Sequence, residues 1–370
     1  MVKFPCQQMR CWRYNHMVHK LALIGFGVVG QGLVEILLNK QEKLQKEEGF
    51  EAVVVAISDL MKGSIYHPDG LHLETVLKVL KETGNIENYP DVPGIIKGWD
   101  SFKTIRETNA DTIVEVSYTD VKTGQPAIDH CKAAFESGKN VIMTNKGPVA
   151  LAYKELSQMA KKYGVYWGFE GTVMSGTPAL RMPITSLAGN DITEIKGILN
   201  GTTNYILTKM EEEGWTYEEA LREAQRLGYA EADPTSDVEG YDAKFKIVIL
   251  ANYVMNVPLS AEEVICKGIT DITLDDIEEA KQQGKRWKLI AKVRKEQDKV
   301  IASVAPEKVD LTDPLASISG TTNAVTYECD LLGPVTLVGA GAGKMETGFS
   351  LLIDLINIQR AAHQQKLVKI

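Results

Sequence analysis

The chain has 370 residues, of which 44% are apolar and 24% are charged. A chain of this length can bury a sizeable core and is expected to form two domains or more. Its formal net charge of −8 argues against a nucleic-acid or anionic-membrane partner, because phosphate binding depends on an excess of lysine and arginine. The sequence has no apolar run of about 18 residues, so no membrane span is predicted.

The cysteines and residues 1–16 bear on the cellular compartment of the protein. The five cysteines are odd in number and form no CxxC pair, which favours a reducing compartment, and hence the cytoplasm, over a disulfide scaffold. Residues 1–16 include Lys3, Arg10 and Arg13 but no apolar core, so they do not resemble a secretory signal. One reading is that this segment ahead of Met17 is a poorly ordered extension or a misassigned start; the other is a real but irregular N-terminal segment.

The first part of the chain alternates short apolar runs with helical segments. Strands are predicted at residues 21–24, 51–57, 112–116 and 140–143, and helices at residues 28–46 and 125–137. A strand, a crossover helix and a parallel strand form the repeating unit of a doubly wound sheet. The pattern therefore predicts an α/β fold with a Rossmann-type parallel sheet.

A glycine turn joins the first strand to the first helix. Its residues, Gly25, Phe26, Gly27, Val28, Val29 and Gly30, match the dinucleotide fingerprint GxGxxG. The first glycine allows the tight turn, the second lets the backbone approach a pyrophosphate, and the third lets helix and strand pack closely. The helix N-terminus then offers free amides to the phosphates. A merely structural turn is the alternative.

The choice between NAD and NADP depends on the end of the second strand. Asp59, after Ser58, is the candidate that binds the ribose hydroxyls and favours NAD. Lys62 could instead meet a 2′-phosphate, and Asp59 could simply cap a turn. Ser117 and Tyr118 follow the strand at 112–116, where a doubly wound sheet presents residues to the nicotinamide.

From about residue 165 the pattern changes. Strands are predicted at residues 165–169, 192–199, 287–293, 300–304 and 325–331, with helices at 205–213, 216–227 and 240–255. This is typical of an α+β domain, at 166–338, inserted into a nucleotide domain formed by 17–165 and 339–370. The last segment, a glycine-rich run at 339–343 and a helix to about residue 360, marks the return to the first domain.

Asp242 and Lys246 lie one turn apart on a predicted helix and share one face. Reduction of a carbonyl needs a proton donor besides the hydride donor, and such a pair can supply it. The alternative is a solvated helical ion pair. The neighbours His130 and Cys131 lack the spacing of a zinc site and are expected to lie in a buried helix.

Several motifs in order and spacing carry a family resemblance. Behind GFGVVG come TNKGPVA, NGTTNYILTKM, GYAEADPTSDVEGYDAKFK and GAGAG. Together they resemble homoserine dehydrogenase over nearly the whole chain from residue 21. The resemblance implies a Rossmann domain, a catalytic and dimerisation domain, and a homodimer. It also implies reduction of L-aspartate 4-semialdehyde to L-homoserine with NADH or NADPH, on the route to threonine, methionine and isoleucine.

The resemblance also implies residue roles. Lys246 matches the favoured acid/base, Asp242 a residue that helps hold substrate, and Lys146 a second lysine near the reacting carbonyl. The implied substrate-binding residues are Glu231, Asp237, Tyr229 and Thr202, and the further cofactor-binding residues are Asn145, Lys146 and Gly343. A monovalent cation, Na⁺, is implied at the main-chain carbonyls of Glu170, Val173, Ser175 and Thr177.

Two other functions stay open at the level of the sequence. One is a nicotinamide-binding sensor that has lost its chemistry, although Glu231, Asp242, Lys246 and Lys146 are all present. The other is a dehydrogenase for another small aldehyde or hydroxy acid. Residue types alone do not distinguish such an enzyme from a homoserine dehydrogenase. Only trials with substrates distinguish these possibilities.

Overall fold

The computed structural model describes residues 18–120, 122–297 and 299–368. The N-terminal segment 1–16, for which two readings were open, lies outside the described residues. Within the described part of the chain, no helix is both long and apolar enough to cross a membrane.

The first sheet has seven strands in the order β4-β3-β2-β1-β5-β6-β7. They are β1 (Val18–Ile24), β2 (Glu51–Asp59), β3 (Gly63–Tyr66), β4 (Ile96–Lys97), β5 (Thr112–Glu115), β6 (Asn140–Met143) and β7 (Trp167–Gly168). The strands from β2 across to β7 run parallel, and β3 and β4 add an antiparallel edge. The chain leaves β1 toward β2 and later returns to its other side as β5. The gap between β1 and β5 is therefore the topological switch point, where doubly wound sheets bind ligands.

Helices connect and cover these strands. They are α1 (Val28–Lys43), α2 (Leu73–Thr83), α3 (Ser101–Glu107), α4 (Ala127–Glu136) and α5 (Lys146–Tyr163). Helix α1 buries Leu33, Ile36 and Leu37 against the sheet, and it continues as a π-helix, Leu44–Glu48. Helix α1 thus has one apolar face, which packs on the sheet.

The second sheet has six strands in the order β13-β12-β8-β10-β11-β9 and is mainly antiparallel. Its strands are β8 (Ile192–Ile198), β9 (Ile265–Cys266), β10 (Lys285–Glu296), β11 (Lys299–Asp310), β12 (Thr322–Cys329) and β13 (Gly333–Ala340). Its helices are α6 (Arg181–Ser186), α7 (Gly201–Glu213), α8 (Tyr217–Arg226), α9 (Thr235–Val238), α10 (Tyr241–Tyr253) and α11 (Leu274–Gln282). Helix α10 is apolar on most of its surface because it lies in the core, with Ile247, Ile249 and Leu250 fully buried.

The last helix, α12 (Lys344–Val368), returns to the first sheet and packs against α1. Glycines make this approach possible. A Cβ atom on Gly32 would lie 2.3 Å from the Lys344 carbonyl oxygen, and one on Gly348 would lie 2.8 Å from the Gly32 backbone. Two helices can pack this closely only where neither carries a side chain at the crossing.

The structure refines the expected elements in several places. The first sheet extends past residue 165, the expected end of the first part of the nucleotide domain, because β7 at residues 167–168 pairs with β6. The expected strand at 325–331 is shorter at its end, because residues 330–332 turn the chain into β13, which the sequence pattern did not reveal. The expected helix at 205–213 begins earlier, at Gly201, because the Asn200 side chain accepts a hydrogen bond from the Thr203 amide and caps it.

Candidate functional site

A buried ion cluster joins the two halves of the molecule. The Asp242 carboxylate accepts a hydrogen bond from Lys246 Nζ at 2.6 Å, and Lys146 Nζ lies 3.3 Å from its other oxygen. Lys146 begins α5 beside the first sheet, whereas Asp242 and Lys246 lie on α10, which packs against α5. The structure thus brings together the three side chains expected to be catalytic.

The environment of Asp242 keeps it ionised. Burial by itself would raise its pKa, but the charges of Lys246 and Lys146 and the hydrogen bonds from Lys246 and Asn200 outweigh burial. The pKa of Asp242 therefore lies well below its usual range. Asp237 differs: burial, and then the negative charge of Asp242, raise its pKa.

Asn200 holds the two aspartates in place, although the sequence analysis did not single it out. Its Nδ2 donates to Asp237 at 2.7 Å and to Asp242 at 2.9 Å, while its Oδ1 caps α7. An amide that uses both ends in this way is fixed in orientation. The signal that could have found it is its position as the first residue of the NGTTN motif.

The two lysines differ in access. The Lys246 side chain is 9% exposed, and its Nζ also donates to the Leu199 carbonyl at 2.6 Å. The Lys146 side chain is 32% exposed. Lys246 is therefore enclosed within the cluster, whereas about a third of the Lys146 side chain is accessible to solvent.

The other expected substrate-binding residues are only partly brought together. Asp237 belongs to the cluster, and Thr202 Oγ1 donates to the Tyr229 carbonyl at 2.7 Å. The Tyr229 ring is exposed and meets Tyr205 edge-on. The Glu231 side chain is exposed, and in the described part of the chain it makes no hydrogen bond or ion pair with the cluster.

A cavity of about 700 Å³ opens at the switch point of the first sheet. Six expected cofactor-binding residues line it: Gly25, Gly27, Ser58, Asp59, Ser117 and Tyr118. The other seven do not line this cavity: Phe26, Val28, Val29, Gly30, Asn145, Lys146 and Gly343. Gly343 lies instead where α12 begins, against the side chain of Glu346.

The glycine turn has the conformation that its sequence predicts. Gly25 has φ +94°, and a Cβ there would overlap the Val116 carbonyl oxygen at 2.4 Å, so only glycine fits. A Cβ on Gly27 would meet no atom within 4 Å, which leaves open space in front of the N-terminus of α1. Gly27 is the N-cap residue of α1 and has no side chain that could bond the first amides of the helix, so these amides face that space.

Asp59, the last residue of β2, is hydrogen-bonded to the glycine turn. Its carboxylate accepts hydrogen bonds from the amides of Phe26 at 2.6 Å, Met61 at 2.9 Å and Lys62 at 3.0 Å. Burial opposes its ionised form, but the Phe26 and Met61 amides and the charge of Lys62 outweigh burial and lower the pKa. The Lys62 ammonium lies 3.6 Å from this carboxylate. Asp59 thus caps a turn and lines the cavity at once.

Glu115 and His130 were not recognised as site residues. Glu115 ends β5 and is fully buried, and its carboxylate accepts from Ser117, Asn145 and His130. His130 is buried, as expected, but it also lines the cavity. The signal for Glu115 was a lone acidic residue inside an apolar strand, which usually marks a paired, buried charge.

The segment expected to bind a cation lies between β7 and α6. The Glu170 side chain turns inward and accepts from the Leu180 amide at 3.0 Å. Met174 and Ser175 both have φ +56°, so the backbone makes a left-handed turn there. In the described residues, no group of three or more His, Cys, Asp or Glu side chains is placed to hold a metal ion.

Comparison with known proteins places this geometry in a family. A family model described as homoserine dehydrogenase matches residues 178–356. The NAD(+)-dependent homoserine dehydrogenase of Pseudomonas canavaninivorans is 43% identical over 94% of this chain and 98% of its own length. Homoserine dehydrogenase of Methanocaldococcus jannaschii is also 43% identical, over 91% of this chain and 98% of its own length.

Solved structures agree with this placement. A hyperthermophilic archaeal homoserine dehydrogenase in complex with NADPH superposes with a TM-score of 0.79 at 30% identity, covering 93% of this chain and 98% of its own. The structure from Thiobacillus denitrificans superposes with the same TM-score at 29% identity, covering 94% of this chain and 74% of its own. The fold is therefore that of these enzymes, which confirms the expected Rossmann-type α/β architecture. The chain belongs to the homoserine dehydrogenase family of NAD(P)-dependent oxidoreductases.

Proposed function

We propose that this protein interconverts L-aspartate 4-semialdehyde and L-homoserine with a nicotinamide cofactor, in the biosynthesis of threonine, methionine and isoleucine. The observation that carries the proposal is the cluster in which Asp242 meets Lys146 and Lys246. The cluster adjoins the nucleotide cavity, because Asn145, the neighbour of Lys146, donates a hydrogen bond to the carbonyl of the cavity residue Ser117. A proton donor next to a nicotinamide site is what aldehyde reduction needs.

Lys146 is the group that exchanges the proton with the substrate oxygen in this proposal. Its side chain is the more exposed of the two, and Asp242 holds its ammonium group at 3.3 Å. Lys246 is enclosed by Asp242 and the Leu199 carbonyl, so its role is to hold the carboxylate in place. The resemblance favoured Lys246 as acid/base, and the difference in exposure is the reason to favour Lys146 instead.

Polar groups around the cluster suit the ends of an amino acid. Asp237 and Glu231 offer acidic groups for the α-ammonium, and Thr202 and Tyr229 offer hydroxyl groups for the α-carboxylate. Asp237 is already oriented by Asn200, whereas the Glu231 side chain is exposed at a polar turn. Substrate binding is therefore expected to draw Glu231 toward the cluster.

The cavity fits a dinucleotide. The open space in front of Gly27 and the free amides at the start of α1 suit a pyrophosphate, and the bound cofactor supplies or accepts the hydride. Asp59 favours NAD over NADP, since its ionised carboxylate repels a 2′-phosphate and already neutralises Lys62. Ser117 and Tyr118 also line the cavity.

A monovalent cation, Na⁺, belongs to the same proposal. The carbonyls of Glu170, Val173, Ser175 and Thr177 would hold it, since hard cations prefer oxygen ligands. The left-handed turn at Met174 and Ser175 supports this assignment, because it gives this segment a backbone conformation that non-glycine residues rarely adopt.

Assembly, location and domain division complete the proposal. The protein is proposed to act as a cytoplasmic homodimer that takes a small amino-acid substrate and neither nucleic acid nor membrane. The exposed leucines at the tip of the β12–β13 hairpin, Leu331 and Leu332, support pairing of two subunits through the second sheet.

The cysteines and the two sheets bear on location and domain division. Cys131, Cys266 and Cys329 are free thiols, which suits a reducing compartment. The nucleotide domain comprises the first sheet with α12, and the catalytic and dimerisation domain comprises the second sheet.

The activity test is a direct assay of the purified protein. We expect oxidation of L-homoserine and reduction of aspartate semialdehyde, with a higher kcat/KM for NAD(H) than for NADP(H) because of Asp59. Absorbance of the reduced nicotinamide, followed with both cofactors in parallel, measures this. Folded protein that binds nucleotide but turns over neither substrate would contradict the proposed function and favour a sensor.

Substitution of Gly27 tests the fit of the cofactor. Gly27→Ala places a methyl group in open space, so the free energy of unfolding should stay close to that of the wild type. The same methyl group obstructs the pyrophosphate, so the dissociation constant for NAD⁺ should rise by roughly tenfold or more. Fluorescence titration and thermal unfolding measure the two effects. Unchanged NAD⁺ affinity in a stable variant would exclude this turn as the phosphate site.

The two lysines are distinguished by matched methionine variants. Lys146→Met should lower kcat by about 10²-fold or more, the scale of lost acid/base help, and flatten the pH profile of kcat. Lys246→Met should lower kcat for a different reason, displacement of Asp242, and should keep the wild-type shape of that profile. Steady-state kinetics from pH 6 to about pH 10 separates them. The opposite pattern, with the profile lost only in Lys246→Met, would assign proton transfer to Lys246.

A further inference from the structure

Glu115 lies where the wall of the nucleotide cavity meets the start of α5. It is the last residue of β5 and has no exposed surface. A buried carboxylate is costly to a fold unless donors surround it. The burial of Glu115 therefore requires hydrogen-bond donors around its carboxylate.

The carboxylate accepts hydrogen bonds on both oxygens. Oε1 accepts from the Ser117 hydroxyl, from the Ser117 amide at 3.4 Å and from His130 Nδ1 at 3.2 Å. Oε2 accepts from Asn145 Nδ2, which also donates to the Ser117 carbonyl at 3.0 Å. Glu115, Ser117 and Asn145 thus form a closed ring of hydrogen bonds.

The ring connects two parts of the candidate active site. Ser117 lines the nucleotide cavity, and Asn145 precedes Lys146, whose ammonium lies 3.3 Å from Asp242. We infer that Glu115 is a positioning residue, which fixes Lys146 relative to the bound nicotinamide cofactor. This inference rests on the proposed function. Its physical basis is that a small displacement of an acid/base group costs much of its effect.

Glu115 also orients a second cavity residue. A carboxylate can only accept, so the proton of the His130 ring lies on Nδ1. In the neutral ring Nε2 then accepts from the Ser101 hydroxyl, 2.9 Å away, and Ser101 lines the cavity. One buried carboxylate therefore sets the hydrogen-bond direction of two serines that face the cofactor.

The test replaces Glu115 by its neutral isostere. Glu115→Gln keeps the shape but turns one acceptor into a donor, so the new amide must face a donor on Ser117, His130 or Asn145. We expect kcat for homoserine oxidation to fall by roughly 10- to 100-fold. We also expect the dissociation constant for NAD⁺, measured by fluorescence titration, to rise by about threefold or more.

A double variant reverses the polarity of the broken bond. In Glu115→Gln with Asn145→Asp, the new amide donates to the new carboxylate, and the oxygen facing Ser117 and His130 still accepts. The new carboxylate cannot donate to the Ser117 carbonyl, so that one bond of the ring stays broken. We therefore expect the double variant to recover part of the lost kcat. Lys139→Met is the matched control, since Lys139 is also buried beside this sheet but, among the residues that the structure describes, its ammonium donates only to Ile105 and Thr108. It should lower the melting temperature and leave kcat and the NAD⁺ affinity unchanged.

Three results would overturn the inference. One is a folded Glu115→Gln variant whose kcat and NAD⁺ affinity stay within about twofold of the wild type. Another is a double variant whose kcat is no higher than that of Glu115→Gln. The third is an equal loss in Lys139→Met. If Glu115→Gln does not fold, Asn145→Ala, which removes one arm of the ring, decides by the same two measurements.

The nucleotide measurement separates this inference from the proposed function. A wild-type protein that binds NAD⁺ but does not turn over homoserine would contradict the function. The affinity of Glu115→Gln for NAD⁺ would still test whether Glu115 organises the cavity.

Discussion

The site depends on one carboxylate that faces two ammonium groups. Asp242 receives Lys246 from its own helix and Lys146 from α5, and only 13% of its side chain is exposed. Away from water, unlike charges at this distance attract strongly, whereas two ammonium groups without the carboxylate would repel each other. Asp242 therefore holds the two ammonium groups in place. Since α5 belongs to the first sheet and α10 to the second, the same contact aligns the two sheets.

The first sheet brings the cofactor to this cluster. The strands β1 and β5 end side by side, and the chain leaves them in opposite directions, so a cavity opens beyond their ends. The glycine turn follows β1, and Ser117 follows β5, so both face the same space. Asn145, after β6, extends this edge toward Lys146. The topology thus places the cavity at the switch point next to the cluster of Lys146, Asp242 and Lys246.

Much of this arrangement could be predicted from the sequence, because its signals are local. The GxGxxG turn, the alternation of strand and helix, and the spacing of Asp242 and Lys246 each lie within a few turns of the chain. Short elements escaped prediction: β3 and β4 have four and two residues and are stabilised by pairing with neighbours. A strand at the position of β7 was predicted, but its pairing with β6 in the first sheet was not.

The residues that escaped prediction are those whose role depends on distant partners. Asn200 is significant because Asp237 and Asp242 approach it, at sequence separations of 37 and 42. Glu115 is significant because Asn145 approaches it from 30 residues away. Periodicity cannot show such contacts, although an acidic residue inside an apolar strand does indicate that some partner exists.

The substitution Asp242→Asn tests the central role of this carboxylate most directly. It keeps the shape and one acceptor but removes the charge that both lysines face. The account predicts a fall in kcat for homoserine oxidation of about 10²-fold or more, with the dissociation constant for NAD⁺ unchanged because Asp242 does not line the cavity. A folded variant with kcat within about twofold of the wild type would contradict it.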